Sequence, residues 1–161
     1  MAHVLWVIAI TITYLGFDSW LDDQKSPNAG VDPVVTADGT KEIDLRRNWS
    51  GHYTVDGFLN DHPVTFIIDT GASNVSVPVS IARKAELGDG RKTVAQTANG
   101  NVGVEIVKVD KVTAGGISAR GVKASVNPGL EGNQVLLGMS FLSDVDLIHS
   151  EEGMKLMERR D

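Results

Sequence analysis

One short segment combines the residue types that acid–base hydrolysis needs. Asp69-Thr70-Gly71-Ala72-Ser73 follows directly after Val64-Thr65-Phe66-Ile67-Ile68, a nearly continuous apolar run rich in β-branched residues. Such a run predicts a central strand, so Asp69 stands where the hydrogen-bonded ladder stops. Thr70 offers a hydroxyl group, and Gly71 lets the backbone turn and leaves room beside the carboxylate. An ordinary Asp-Thr-Gly turn is the alternative, but the apolar lead-in and the strand-like Asn74–Val77 favour a catalytic carboxylate.

Two further segments have the composition of elements that position such a carboxylate. Val135-Leu136-Leu137-Gly138 is a second apolar run, and it ends in glycine before a short helical pattern from Met139 to Asp144. Ala98-Asn99-Gly100-Asn101 lies between the strand-like runs 92–97 and 102–113. Because Asn-Gly between two such runs is a strong hairpin signal, we expect a projecting β-hairpin there.

These segments resemble the aspartic proteases. Phe66–Ser73 is similar to their active-site signature, which reads hydrophobic-hydrophobic-Asp-Thr/Ser-Gly-Ala/Ser-Ser/Thr. Leu136, Leu137 and Gly138 resemble the second hallmark of the family, which crosses behind the active-site loop. The resemblance spans Trp49–Glu158 and is closest to the retropepsin-like branch, in particular its bacterial members with an N-terminal membrane anchor. It implies an all-β fold, a retropepsin-like closed β-barrel with one short helix and one half-site per chain.

The chain has a single candidate catalytic carboxylate, which predicts that two copies of the chain assemble. Asp-Thr-Gly occurs once in the chain and Asp-Ser-Gly does not occur. Aspartic peptidases use two facing carboxylates that share a proton, so a two-fold homodimer would place Asp69 opposite Asp69 of a second copy. The resemblance implies that Asp69 is the catalytic residue. It implies that the loop around Asp69 is supported by Thr70, Gly71, Ala72 and Ser73, with a hydrogen bond from Thr70 across the dimer. It also implies a flap over a peptide or protein substrate, formed by Thr97, Ala98, Asn99 and Gly100.

Composition excludes several other classes of protein. The 161 residues carry a net charge of −6, which argues against nucleic acid as a partner. The chain has no cysteine, so disulfide scaffolds, thiol catalysis and Cys-ligated zinc are excluded. His3, His52, His62 and His149 lack metal-ligand spacing. We expect neither a metal nor an organic cofactor, because the nucleophile of an aspartic peptidase is water.

The N-terminal segment differs from the rest. Residues 1–17 contain no charged side chain, and Trp6, Tyr14 and Trp20 would suit the interfaces of a bilayer. We interpret residues 1–21 as a membrane anchor. A cleaved signal peptide is disfavoured because no Lys or Arg precedes the apolar run and no small-residue cleavage site follows it. A buried core element is the third interpretation.

The remaining chain divides into a linker and a domain. Residues 22–46 are polar and contain two prolines and two glycines, so they predict a semi-extended, weakly ordered linker. Residues 47–161 predict a mostly β domain with a helix over 78–87, for which Gly88 would be the C-cap. We expect the chain to be an aspartic endopeptidase of the bacterial inner membrane, single-pass, with its domain on the periplasmic side. The alternative is a retropepsin-like module that dimerises or binds peptides without cleaving them.

Overall fold

The computed structural model of the chain describes residues 6–7, 10–14, 17, 24–97 and 100–159. Eleven strands and two short helices with defined bounds follow one another along the chain. In chain order they are β1 Val34–Val35, β2 Lys41–Leu45, β3 Thr54–Leu59, β4 His62–Ile68, β5 Val75–Pro78, α1 Val79–Lys84, β6 Arg91–Thr97, β7 Gly100–Ala114, β8 Ile117–Asn127, β9 Gln134–Leu137, α2 Met139–Leu142, β10 Val145–His149 and β11 Met154–Glu158.

Seven of the strands form one sheet, which closes on itself. Their order is β3-β4-β9-β5-β8-β7-β6, and β3 also pairs with β7. The pairing of Gly57 with Ala114 and of Leu59 with Val112 therefore completes a ring of six strands. The ring leaves β6 outside, attached to β7 alone among the described strands. This arrangement matches the closed, all-β architecture that the sequence predicts.

Ring closure depends on a close approach between two strands at Gly57. A Cβ atom added there would lie 1.9 Å from the carbonyl oxygen of Thr113. That distance is far inside van der Waals contact, so only glycine lets β3 and β7 meet at this point. Apart from Gly57 itself, the strand-like run in the sequence contains nothing that indicates β7 as a second pairing partner of β3.

One hydrophobic core fills the interior of the ring. Phe66 and Leu137 on the neighbouring strands β4 and β9 are fully buried, as are Val77 of β5 and Phe141 of α2. Side chains alternate between the two faces of a strand, so the neighbours of Phe66 in β4 and of Leu137 in β9 are more exposed than these two residues. The core therefore holds β4 and β9 side by side, and both strands lead into the segments that the sequence marks as chemically important.

A second, four-stranded sheet corrects the predicted linker. Its order is β1-β2-β11-β10, so residues 34–45 supply two of its strands. Ile43 and Leu45 are buried in the core beside Leu156. This part of the predicted linker is therefore structured, and it belongs to the domain. Its two buried apolar residues gain their partners from β11, more than 100 residues further along the chain, which a local pattern does not reveal.

The segment before β1 is also fixed to the domain. Asn28 is buried, and its side-chain amide donates hydrogen bonds to the carbonyl oxygens of Arg46 and Thr54, both at 2.8 Å. Its side-chain oxygen accepts a hydrogen bond from the backbone N–H of Arg46 at 2.8 Å. These three bonds replace water around a buried amide and hold residues 26–31 against the start of β3.

The first helix ends differently from the prediction. It spans Val79–Lys84, and Pro78 precedes it as the N-cap residue. The left-handed position after the helix is Glu86, with a φ of 51°, rather than Gly88. The N–H of Leu87 donates to the carbonyl oxygen of Ala82 at 2.9 Å and the N–H of Glu86 to that of Arg83 at 3.2 Å, which is the Schellman pattern of helix termination.

Part of the predicted anchor lies in the described residues. Residues 6–7, 10–14 and 17 are helical, and their side chains are exposed. No helix among the residues that the structure describes has the length and apolar character needed to cross a bilayer. Residues 1–5, 8–9, 15–16 and 18–23 of the predicted anchor and linker lie outside the described residues.

Candidate active site

Asp69 directly follows the last residue of β4, at one end of the barrel. Its backbone N–H donates to the carbonyl oxygen of Leu137 at 3.1 Å, which extends the parallel pairing of β4 with β9 by one residue. On the other side, the N–H of Ile68 donates to the carbonyl oxygen of Tyr53 at 2.9 Å. The backbone that carries Asp69 is therefore held from both neighbouring segments.

The carboxylate of Asp69 is half-buried and held by its own loop. Its Oδ1 accepts a hydrogen bond from the N–H of Gly71 at 2.9 Å. A Cβ atom at Gly71 would lie 3.2 Å from the same oxygen, so a side chain there would press on the carboxylate. Within the part of the chain that the structure describes, Asp69 forms no ion pair. The group is therefore a fixed carboxylate with hydrogen-bonding capacity left for a ligand.

The segment from Leu137 to Ser140 clamps the loop that follows Asp69. The N–H of Met139 donates to the carbonyl oxygen of Ala72 at 2.8 Å, and the N–H of Ser140 to that of Ser73 at 3.0 Å. Within the loop, the N–H of Ala72 donates to the carbonyl oxygen of Asp69 at 3.2 Å. These bonds attach the whole loop to the start of α2, although the two segments lie far apart in sequence.

Gly138 is required where the two segments cross. A Cβ atom at this position would lie 2.2 Å from the carbonyl oxygen of Asn74 and 2.7 Å from that of Ala72. Both contacts are with backbone, which cannot move aside as the end of a side chain can. The glycine of the second hallmark therefore lets the backbone of residues 137–140 reach the Asp69 loop.

Ser140 connects three elements at the back of the site, and it is not among the site residues that the sequence predicts. Its hydroxyl oxygen accepts the N–H of Val75 at 2.9 Å and donates to the carbonyl oxygen of Lys123 at 2.6 Å. Val75 begins β5 and is fully buried, so its N–H depends on this hydroxyl for a partner. A polar residue inside the apolar run 135–142 was the available signal.

A projecting hairpin lies where the sequence predicts a flap. Thr97 pairs with Gly100, and the pairing of β6 with β7 continues to Arg91 and Ile106. Pairing of β7 with β8 begins only at Glu105, so residues 100–104 of β7 pair with β6 alone. The hairpin is therefore a two-stranded ribbon, and the outer edge of β6 has no partner among the described strands.

The predicted site residues are found in two places. Thr70, Gly71 and Ser73 are exposed and Ala72 is half-buried in the loop after Asp69, while Leu136 and Leu137 lie in β9 behind that loop. The structure therefore brings the two predicted hallmarks together. In the predicted flap, Thr97 Oγ1 donates to the carbonyl oxygen of Gly100 at 2.8 Å, and Ala98 and Asn99 lie outside the described residues.

The site contains the chemistry of a single carboxylic acid. Among the described residues, no group of three or more His, Asp or Glu side chains could hold a metal ion. One carboxylate can accept or donate one proton, whereas hydrolysis of an amide by water needs both a base and an acid. The Asp69 loop of one chain therefore supplies one of the two groups that such a reaction would need.

An all-β ring with an Asp-Thr-Gly loop clamped by a glycine crossing defines the class of retropepsin-like acid proteases. The sequence profile of the family described as gag-polyprotein putative aspartyl protease matches residues 55–144, more than half of the chain. The chain belongs to this family. The predicted fold class and the predicted family are confirmed, whereas the assignment to the bacterial branch with an N-terminal membrane anchor stays a prediction.

Two solved structures share this fold. A retropepsin-like aspartic protease from Rickettsia conorii superposes with a TM-score of 0.59 at 24% identity, covering 74% of this chain and 91% of that chain. EIAV protease in complex with the inhibitor HBY-793 gives a TM-score of 0.50 at 22% identity, covering 62% of this chain and 93% of that chain.

The curated relative is longer than the region it shares with this chain. A protein of Sinorhizobium sp described as an uncharacterized protein in the cobV 5′ region is 28% identical over 118 residues. The match covers 71% of this chain and 51% of the relative, so the chain spans about half the length of the curated protein it matches.

Proposed function

We propose that the chain is an aspartic endopeptidase that acts as a homodimer, with one Asp69 from each copy. The observation that carries this proposal is the Asp69 loop: a half-buried carboxylate at the end of β4, fixed by Gly71 and by the clamp of residues 137–140. Because one chain supplies one such carboxylate, a two-fold dimer is the simplest way to bring two together.

The proposed reaction is hydrolysis of a peptide bond by water. Like-charge repulsion keeps one proton on a pair of adjacent carboxylates, so one group can accept a proton from water while the other protonates the scissile carbonyl oxygen. The rate should therefore pass through a maximum on the acidic side of neutrality, falling when the pair is doubly protonated or doubly ionised. Thr70, exposed beside Asp69, is proposed to donate a hydrogen bond across the dimer.

The substitution Asp69→Asn tests the catalytic role. The side chains are nearly isosteric, so the variant should fold and dimerise as the wild type does while cleavage of a denatured protein at mildly acid pH is lost. Circular dichroism and analytical ultracentrifugation check the fold and the dimer. Near wild-type turnover in the variant would exclude the aspartic mechanism. A wild type that binds peptides at the outer edge of β6 without cleaving them would instead support the binding module.

Dilution tests the requirement for two copies. Specific activity should fall as the protein is diluted below the dissociation constant of its dimer, because the monomer holds half of the site. The association state should be measured by ultracentrifugation at the same concentrations. A constant specific activity from a protein that sediments as a monomer would contradict the shared site.

We further propose that the N-terminal segment attaches the protein to the bacterial inner membrane, with the domain on the periplasmic side. In support, the described apolar side chains of this segment are exposed, Trp6 by 69% and Phe17 by 57%. Deleting residues 1–21 should release a soluble, folded domain, because the hydrogen bonds of Asn28 that fix residues 26–31 to the domain lie outside the deletion. Membrane fractionation of full-length and truncated protein would test this, and equal partitioning of the two would contradict it.

A further inference from the structure

A cationic group is held in place beside the active-site end of the barrel. Arg47 Nε donates a hydrogen bond to Tyr53 Oη at 2.9 Å, and the guanidinium carbon lies 5.3 Å from the centre of the Tyr53 ring. Arg47 Nη2 lies 3.1 Å from His149 Nε2. Because arginine can only donate, His149 Nε2 is the acceptor of this bond. The ring of His149 also packs edge-on against Tyr53 at 5.8 Å.

This cation shares an open depression with an acidic side chain. The depression has a volume of about 630 Å³ and is lined by Arg47, His149, Ser150 and Glu151. Neither Arg47 nor Glu151 forms an ion pair with any residue in the described ranges. The surface therefore presents a preorganised arginine and a carboxylate, each with capacity for an opposite charge from another molecule.

The position of the depression relates it to the proposed dimer. Arg47 forms a bridge with Tyr53, and the carbonyl oxygen of Tyr53 accepts the N–H of Ile68, the residue before Asp69. Two strand spacings, about 10 Å, therefore separate the backbone of Arg47 from that of Ile68. Two carboxylates that contact the same water lie within about 6 Å of each other. The depression is therefore close enough to Asp69 to take part in a contact around the two-fold axis.

We infer that this depression is part of the interface between two copies, in which Arg47 of each copy pairs with Glu151 of the other. A two-fold contact brings the same patch of both copies together, so a patch that contains both charges can satisfy both reciprocally. The inference rests on the proposed homodimer and specifies which residues join it. Tyr53 and His149 fix the arginine before association, which lowers the conformational entropy lost on pairing.

Charge reversal at each position tests the pairing. In Arg47→Glu, two carboxylates would meet at each contact, and in Glu151→Arg two guanidinium groups would meet. Each variant alone should dimerise about tenfold more weakly or worse, with a parallel loss of activity at low concentration. Arg46→Glu and Glu152→Arg make the same charge changes at exposed neighbours that do not line the depression, and they should dimerise nearly as the wild type does.

Mixing the two variants is the decisive experiment. A heterodimer of Arg47→Glu with Glu151→Arg restores opposite charges at both contacts, so the mixture should regain dimerisation and activity that neither variant shows alone. Thermal unfolding of each variant would verify that it folds. Rescue in the mixture is not expected from misfolded chains, so it separates pairing from instability.

The inference and the proposed function fail in distinguishable ways. If the wild type is an active dimer and both variants dimerise as well as their neighbour controls, the pairing is wrong and the peptidase proposal stands. If the variants weaken the dimer but the mixture does not recover, the reciprocal pairing is also wrong. If Arg47→Glu leaves the dimer intact and instead lowers cleavage of acidic peptides only, the arginine binds substrate, which overturns the inference. A wild type that is monomeric and inactive would remove the proposed function itself.

Discussion

The Asp69 loop and the β6–β7 hairpin differ in how they are held. The loop is attached to four other parts of the chain, through Tyr53, Leu137, the start of α2 and, by way of Ser140, strand β8. Between Glu105 and its tip, the hairpin is held by pairing between its own two strands. Val94 in this hairpin is 66% exposed. One region is cross-linked from several directions, and the other is a ribbon attached at its base.

This difference suits the roles proposed for the two regions. A catalytic carboxylate stabilises a transition state best when it is already in place, because no reorganisation is then needed during the reaction. A flap must move aside for a peptide to enter, and local opening is easiest where few contacts must be broken. We therefore expect substitutions that break the contacts holding the loop to its clamp to affect folding and activity together, whereas substitutions in the hairpin affect activity alone.

The largest effect should come from adding one methyl group at Gly138. The new Cβ atom would lie 2.2 Å from the carbonyl oxygen of Asn74, so Gly138→Ala must separate the crossing segments. We expect a loss of about 3 kcal/mol in the free energy of unfolding, at the upper end for overpacking, with loss of activity. Denaturant unfolding monitored by circular dichroism measures this.

Gly103 in the hairpin is the matched control. A Cβ atom there would meet nothing within 4 Å, and its φ is not in the left-handed region. Gly103→Ala should therefore change the free energy of unfolding by less than about 0.5 kcal/mol. Equal destabilisation by the two substitutions would show that the loop is no more constrained than the hairpin.

Ser140 should give the next largest effect. Ser140→Ala removes the acceptor of the buried Val75 N–H, and an unsatisfied buried donor costs about 1–3 kcal/mol. Because the same hydroxyl group fixes the end of the Asp69 loop, we expect kcat to fall with little change in KM. Ser140→Thr, which keeps a hydroxyl group, should recover part of both losses.

Ser143→Ala removes a hydroxyl group from an exposed position just after α2 and is the control for Ser140. It should leave stability and kcat close to the wild-type values. If Ser140→Ala behaved in the same way, the hydroxyl of Ser140 would not be a positioning group for the loop.

Val94 tests the hairpin itself. Val94→Ser removes an exposed apolar side chain, so the free energy of unfolding should change by less than about 0.5 kcal/mol. If the hairpin covers a bound peptide, losing this contact should lower kcat/KM up to about fivefold, mainly through KM. Peptide kinetics and denaturant unfolding on the same protein preparation separate the two readouts. A large loss of stability with unchanged KM would show that the hairpin is a structural element instead.

The smallest effect is expected at Lys155, which lies outside both regions. Its Nζ is 3.0 Å from Glu42 Oε1, and this hydrogen bond is the main cause that raises the pKa of Lys155 above the ordinary value of 10.5. A raised pKa in the folded state stabilises the protein below the unfolded pKa, and this contribution disappears as the pH rises through the folded value.

Lys155→Met should therefore be slightly less stable than the wild type at neutral pH, and the difference should shrink above pH 10.5. Lys92→Met, at an exposed position of β6, should show no such pH-dependent difference. Both variants should keep full peptidase activity at mildly acid pH. A difference for Lys155→Met that grew with rising pH would contradict the assigned ion pair.

The sequence predicts those parts of the fold whose signals are local. Strand β4 is recognisable because its apolar run ends at a motif with a chemical reason to follow a strand, and the arms of the hairpin are marked by Asn99-Gly100 between them. Gly138 is identifiable as necessary because a glycine ends the apolar run of β9. In each case the neighbouring residues contain the information.

The parts that escape prediction depend on distant partners or on overridden preferences. Strand β2 pairs with β11, more than 100 residues away. Its local sequence, with prolines and glycines nearby, predicts a linker because the partner strand is not visible in it. At the end of α1, Glu86 adopts the left-handed conformation that glycine normally takes. The role of Ser140 becomes visible only when β5, β8 and the Asp69 loop meet around it.

Activity of mixtures tests the central claim, a site shared by two copies of Asp69, most directly. Wild type and Asp69→Asn are combined at constant total concentration, well above the dissociation constant of the dimer, and allowed to exchange subunits. If both copies supply a catalytic carboxylate, only wild-type pairs are active, so an equal mixture should retain about one quarter of the wild-type rate. A rate of about one half, proportional to the wild-type fraction, would show that each chain works independently and would contradict the shared site.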